Sequence, residues 1–231
     1  MLGVSLYGCE DFEESNLVFQ RSLLSLRSEI RDQRASSSTK LHILHSFVKA
    51  LNNIGCCSFH HGNHLRALKS FSSALGVVVE LVNSGTVKEE LLNDSLPVNL
   101  YQLSDLRTKC FEQLPSCFKC NVSTIFCNLA YVFGKANEFS LSAVYLNKSL
   151  KLEQQIPSHR PIFGLMIDTM DSLAFCLRKT DRVNAAIRIY KLILKTERQV
   201  FRNDLQYRRC MQNAGSFCQA LQKVKTSSIE I

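Results

Sequence analysis

The chain contains no tryptophan and only four prolines and nine glycines among 231 residues. An all-β protein needs proline and glycine at its many tight turns, so this composition favours helices. No stretch approaches the roughly 18 consecutive apolar residues of a membrane-spanning helix. The N-terminal residues also lack the basic segment and apolar core of a secretory signal peptide. These absences predict a helical protein of the cytoplasm with no membrane span.

The sequence also lacks the common signatures of phosphate-binding loops, zinc proteases and α/β hydrolases. This favours a function that is not enzymatic and needs no cofactor. Three histidines, His60, His61 and His64, surround a predicted turn close to Cys56 and Cys57, and a histidine beside a cysteine can activate the thiol as a nucleophile. No acidic residue stands at a useful spacing to orient them. We therefore interpret them as ordinary polar residues of a turn.

The ten cysteines raise the question of disulfides or a metal. Most of them fall inside predicted apolar helix stripes, which favours buried free thiols in a reducing compartment. Cys110, Cys117, Cys120 and Cys127 include one CxxC pair and offer the four thiolates of a tetrahedral zinc site. Such sites usually contain two closely spaced pairs, and only one is present here. We predict no metal site and leave zinc binding by these four cysteines as the alternative.

The formal net charge of +8 is unevenly distributed. Residues 1–120 carry 12 basic and 12 acidic residues, whereas residues 121–231 carry 16 and 8. Such an excess predicts an acidic partner or a nucleic-acid backbone, although a basic surface that merely faces solvent is the alternative. Arg178, Lys179 and Arg182 lie around a predicted turn and are the candidates for contact with such a partner.

The clearest pattern is in residues 48–81, which predict two antiparallel helices joined at Gly62-Asn63. Apolar and small residues recur every three or four positions on both sides of that turn, as in an amphipathic helix. Small residues let the two helices approach closely, and one aromatic residue fills the gap that remains. These residues are Gly55, Ala67, Ala74 and Phe71. Such a pair cannot bury its apolar face alone and predicts neighbours of the same kind.

The order of these residues resembles the tetratricopeptide repeat (TPR). The matching positions are Leu51, Asn53, Ile54, Gly55, Gly62, Ala67, Phe71 and Ala74. The small residues of successive first helices are Gly55, Ala130, Ala174 and Gly215, at spacings of 75, 44 and 41 residues. Since a standard TPR repeats about every 34 residues, the spacing of 75 indicates about two units with an eroded middle one. The long repeats are similar to those of kinesin light chains.

We therefore predict an all-α protein, a right-handed α-solenoid of TPR-like helix pairs that ends in a capping helix. The predicted segments are a degenerate first repeat at 1–34, the best-matched pair at 40–85, an irregular insertion or diverged repeat at 86–120, further pairs at 121–156 and 161–201, and the capping helix at 204–224. The chain then begins inside a repeat.

The resemblance implies a concave groove, lined by the first helix of each pair, that receives an extended peptide or a helix. Asn53 and Asn128 occupy positions where this family often uses an asparagine to hold a peptide backbone, and Ser172 takes the corresponding place in the next pair. We predict an adaptor that binds a protein or peptide segment, favouring an acidic one. The alternatives are a nucleic-acid-associated protein that uses the basic C-terminal half, and a structural subunit of a larger assembly.

Overall fold

A computed structural model of the chain describes residues 11–31, 36–85, 87, 111–157 and 160–200. Within these ranges it contains seven α-helices and no strand. The helices are α1 (Phe12–Arg31), α2 (Ser37–His60), α3 (His64–Ser84), α4 (Ser116–Lys135), α5 (Phe139–Glu153), α6 (Arg160–Lys179) and α7 (Val183–Val200). The prediction of an all-α protein is confirmed. None of these described helices is long and apolar enough to cross a membrane.

The chain forms two compact units, Met1–Ile156 and Pro157–Ile231. In the first unit, α1 packs on α2, α2 on α3, α3 on α4, and α4 on α5, while α2 also contacts α4. In the second unit, α6 packs on α7. Each helix therefore packs mainly against its neighbours in sequence, as expected of antiparallel helix pairs.

The α4–α5 pair lies directly against the α2–α3 pair although residues 85–115 separate them in the chain. The two small residues 75 positions apart, Gly55 and Ala130, thus belong to helices that are neighbours in space. Whether the segment predicted at 86–120 is an insertion or a diverged repeat stays open, because residues 86 and 88–110 lie outside the described ranges. The α4 helix begins at Ser116, so the end of the segment predicted to be irregular, 86–120, is helical. The predicted capping helix at 204–224 lies outside the described residues.

Side chains at the helix starts satisfy backbone N–H groups that no helical carbonyl can reach. The Ser36 hydroxyl accepts a hydrogen bond from the Thr39 N–H at 3.1 Å, and the Asn63 side chain accepts one from the Arg66 N–H at 3.0 Å. Gly85, with φ of 70°, ends α3 in the left-handed conformation that glycine adopts most easily. Local sequence therefore defines the bounds of these helices.

The turns between α2 and α3, between α4 and α5, and between α6 and α7 have the same backbone structure. Each contains one residue of positive φ, and the following N–H bonds to the carbonyl five residues earlier, which is a Schellman motif. The positive-φ residues are Gly62 (75°), Asn137 (63°) and Asp181 (56°). The bonds run from Asn63 to Ser58, from Glu138 to Phe133 and from Arg182 to Leu177, at 2.9, 2.9 and 2.8 Å. The turn at Gly62-Asn63 and the turn beside Arg178, Lys179 and Arg182 lie where the sequence predicted them.

Close packing of α2 on α3 depends on Gly55. A Cβ atom built on Gly55 would lie 2.5 Å from Cε1 of Phe71, so the phenyl ring occupies the space that any other residue would need. Phe71, Ala67 and Ala74 are completely buried beside it. The predicted role of the small residues is confirmed.

The α4–α5 pair replaces part of this apolar packing with hydroxyl groups. Ser142 occupies the position of Ala67 and donates to the Ala130 carbonyl at 2.7 Å. The fully buried Glu153 carboxylate accepts from Ser123 Oγ at 2.7 Å and lies 2.9 Å from Ser149 Oγ. Because buried polar groups are stable only when they are hydrogen-bonded, these bonds link α4 to α5 in one defined register.

We predict that Gly55→Ala lowers the free energy of unfolding by about 1–3 kcal/mol, because the added methyl group overpacks the contact with Phe71. Chemical denaturation of the full chain measures this change. Gly134→Ala is the matched control, since its Cβ would meet only Ser142 Oγ at 3.6 Å. We expect that variant to be neutral or slightly more stable. Equal destabilisation by both substitutions would contradict the assigned role of Gly55.

A second prediction concerns the turn at Asn137. The Asn137→Ala variant should be less stable by about 1 kcal/mol, since alanine tolerates positive φ poorly, whereas Asn137→Gly should be as stable as the parent or more so. Ala136→Gly is the control. Ala136 has a negative φ of −82°, so glycine should not raise the stability at this position. Thermal unfolding compares the three variants. A loss of stability with Asn137→Gly would show that the turn does not depend on this conformation.

Candidate binding cleft between α2 and α4

The first unit has a cleft between α2 and α4, with a volume of about 280 Å³. The α2 helix contributes Cys56, Phe59 and His60, the α4 helix contributes Asn128, Tyr131 and Val132, and α3 contributes the buried ring of Phe71. The lining is thus mostly aromatic and apolar, with one amide and one imidazole. This composition is typical of sites that bind by apolar contact and use a few polar groups for orientation.

Asn128 joins the two helices that form the cleft. Its Nδ2 donates to Oδ1 of the buried Asn52 at 2.8 Å and lies 3.3 Å from Sγ of Cys56. Both contacts cross from α4 to α2, so they fix the orientation of the Asn128 amide. The carbonyl oxygen of that amide is then the group that can accept a hydrogen bond from a ligand.

The rim of the cleft is aromatic. Tyr131 is 57% exposed, and its ring centroid lies 5.1 Å from that of Phe59. The ammonium group of Lys135 lies 5.4 Å from the centre of the Tyr131 ring, within cation–π distance. An exposed tyrosine held between an aromatic ring and a cation is a rigid surface for a partner to cover.

The three histidines near this rim contact aromatic rings. His60 stacks on Phe12 with centroids 4.4 Å apart, and His64 lies 4.9 Å from Phe59. Nowhere in the described ranges do three or more His, Cys, Asp or Glu side chains come together in a way that could hold a metal ion. Of the four cysteines considered for zinc, Cys127 lies 3.0 Å from Ser149 Oγ, and Cys110 falls outside the described residues.

Burial keeps the cysteine of the cleft protonated. Desolvation, with a smaller contribution from Cys57, raises the pKa of Cys56 to about 12. Burial likewise raises the pKa of Cys57, whose thiol lies 3.7 Å from Ser15 Oγ. A nucleophilic cysteine needs the opposite shift. The proximity of these thiols to the histidines therefore does not produce an activated nucleophile at neutral pH.

Of the two asparagines predicted to contact a ligand, the structure places only one in the lining of the cleft. Asn128 lines the cleft, whereas Asn53 is half-buried on α2 and does not line it. The adjacent Asn52 is the residue that pairs with Asn128. Successive residues of a helix point about 100° apart, so a shift of one position moves a side chain to another face. Ligand contact by Asn53 stays a prediction.

The three predicted basic residues belong to the second unit. Arg178 and Lys179 end α6, Arg182 follows in the turn, and all three are exposed. The Lys179 ammonium lies 5.6 Å from the centre of the Phe175 ring, which is 47% exposed. Their contact with an acidic partner stays a prediction.

Acidic residues share this surface of α6. Partial burial raises the pKa values of Asp168 and Asp171, and the charge of Asp171 adds to the rise at Asp168. The Arg178 guanidinium opposes the rise at Asp171. The α6 helix therefore combines charges of both signs with an exposed aromatic ring.

No protein-family model matches the sequence, and no curated protein matches it.

The cysteine environments predict unequal reactivity. At pH 8, iodoacetamide should modify the exposed Cys117 much faster than the half-buried Cys56, because the raised pKa of Cys56 lowers its thiolate fraction by roughly a thousandfold. Mass spectrometry of proteolytic peptides after timed alkylation measures both rates. Alkylation in denaturant, where both thiols are exposed, is the control. Comparable rates in the native protein would contradict the raised pKa of Cys56.

Proposed function

We propose that the chain is a TPR-like scaffold, a right-handed helical solenoid without enzymatic activity, whose cleft between α2 and α4 binds a segment of a partner protein. The observation that supports this most is the orientation of Asn128. Its amide is fixed by Asn52 and Cys56 at the wall of an aromatic cleft, at the position where the TPR resemblance implies contact with a peptide backbone. The repeated turn structure at Gly62, Asn137 and Asp181 supports a repeat architecture.

In this proposal, the Asn128 carbonyl oxygen accepts a hydrogen bond from a backbone N–H of the bound segment. A backbone contact of this kind holds many sequences and gives little selectivity by itself. Selectivity comes from a side chain that covers Phe59 and Tyr131, since buried aromatic contacts contribute most of the free energy at protein interfaces.

The proposed segment is acidic. Lys135 lies beside Tyr131 at the rim of the cleft, and Arg178, Lys179 and Arg182 form a basic cluster in the second unit. These exposed charges would accelerate and orient binding more than they would increase affinity. The six described cysteines are all free, which fits a reducing compartment such as the cytoplasm.

We predict that affinity capture from cell lysate with the full chain recovers a discrete set of proteins that Tyr131→Ala no longer retains. Removal of the tyrosine ring takes away exposed contact area without disturbing the core. Val144→Ala is the matched control, because Val144 is also exposed but lies on α5 and does not line the cleft. Quantitative mass spectrometry compares the three samples, and each is run with and without nuclease.

Proteins retained by the parent and by Val144→Ala but lost by Tyr131→Ala would support the cleft. If the parent, Tyr131→Ala and Val144→Ala retained the same proteins equally well, the cleft would not be the binding site. Recovery that disappears after nuclease treatment would support the nucleic-acid alternative, which also requires a linear loss of affinity with the logarithm of salt concentration. In the acidic-segment proposal, reversing the charges of Arg178, Lys179 and Arg182 weakens binding mainly at low salt.

A further inference from the structure

A second cavity lies on another part of the first unit, between α1, α2 and α3, with a volume of about 420 Å³. Its apolar lining comes from Leu23, Leu51 and Ile54, which belong to the buried core. Leu24, also in the lining, is 61% exposed. None of the described residues that line this cavity lines the α2–α4 cleft. The molecule therefore presents two separate concave surfaces.

Three cations line the second cavity: Arg27 from α1, and Arg66 and Lys69 from α3. No acidic residue is among the described residues of the lining. The Arg27 guanidinium carbon lies 5.9 Å from the centre of the Phe47 ring, a contact that anchors this side chain to α2. Arg66 and Lys69 are exposed and three residues apart, so they lie on one face of α3.

This concentration of positive charge does not follow from the overall charge of its region. Residues 1–120 contain equal numbers of basic and acidic residues. The fold nevertheless brings cations from two helices to one cavity that leucines and Ile54 also line. A ligand that covers the leucines comes close to the exposed Arg66 and Lys69, and carboxylates on that ligand can pair with both.

We propose that this cavity binds an acidic segment of a partner protein, which inserts apolar side chains between α1 and α3 and pairs its carboxylates with the exposed Arg66 and Lys69. Two exposed cations, with Arg27 close to the same cavity, match several carboxylates spread along a segment better than the single charge of a fatty acid. The polar side chains of Gln20, Ser70 and Ser73, also in the lining, can hydrogen-bond to the backbone of such a segment. A second copy of the chain is disfavoured, because each copy carries a net charge of +8.

Selection from a random 12-residue peptide library on the full chain tests this proposal. Each round includes removal of peptides that bind the Arg66→Gln/Lys69→Gln variant, so the surviving peptides depend on the cavity. We expect the survivors to combine Asp or Glu with Leu, Ile or Phe. We expect them to bind the parent about tenfold more tightly than the variant, as fluorescence anisotropy would measure. Their affinity should fall as salt concentration rises.

Two controls make the result specific. Arg21→Gln/Lys151→Gln removes the same amount of charge from exposed residues outside the cavity, and the selected peptides should bind it as tightly as the parent. Tyr131→Ala should also bind them unchanged, which separates this site from the α2–α4 cleft. Unchanged melting temperatures would show that all variants are folded.

Several outcomes would overturn the proposal. They are the recovery of no peptides, the recovery of peptides without acidic residues, and equal loss of affinity with Arg21→Gln/Lys151→Gln. A further arm uses vesicles of phosphatidylcholine and phosphatidylserine in a 3:1 ratio. If the parent bound these vesicles, Arg66→Gln/Lys69→Gln did not, and no peptide competed, the cavity would serve an anionic lipid surface instead. The α2–α4 cleft would be unaffected by any of these results.

Discussion

The contact of Phe71 with Gly55 determines much of the structure of the first unit. It lets α2 and α3 approach more closely than any side chain at position 55 would allow. The same phenyl ring forms the inner surface of the α2–α4 cleft. The packing that stabilises the best-matched helix pair therefore also sets the depth of the candidate binding site. A change in this contact would affect stability and binding together.

Local features of the fold could be predicted from the sequence, because short-range interactions determine them. The turns at Gly62, Asn137 and Asp181 each follow from a residue that tolerates positive φ beside an amphipathic helix. The packing of Phe71 follows from small residues at helical spacing. What could not be predicted depends on contacts between distant segments. The pairing of Asn128 with Asn52 joins residues 76 positions apart, and no local sequence pattern indicates it.

The position of charged groups also could be predicted only in part from the sequence. Counting charges along the sequence directs attention to the C-terminal half, where the excess of basic residues lies. The structure instead gathers Arg27, Arg66 and Lys69 around a cavity in the neutral half. Composition measures how many charges a region carries, whereas recognition depends on which of them share a surface. Only the packing of α1 and α3 on α2 makes that cluster, and no window of sequence shows it.

The separation of α3 and α4 along the chain has a consequence for assembly. The α2–α3 pair can form from local contacts, but α4 reaches its place on that pair from far along the chain, and contacts between distant segments cost entropy before they are made. The cleft exists only after this docking. In the proposed function, a segment bound there would contact both pairs at once, and its binding free energy would add to the stability of the interface between them.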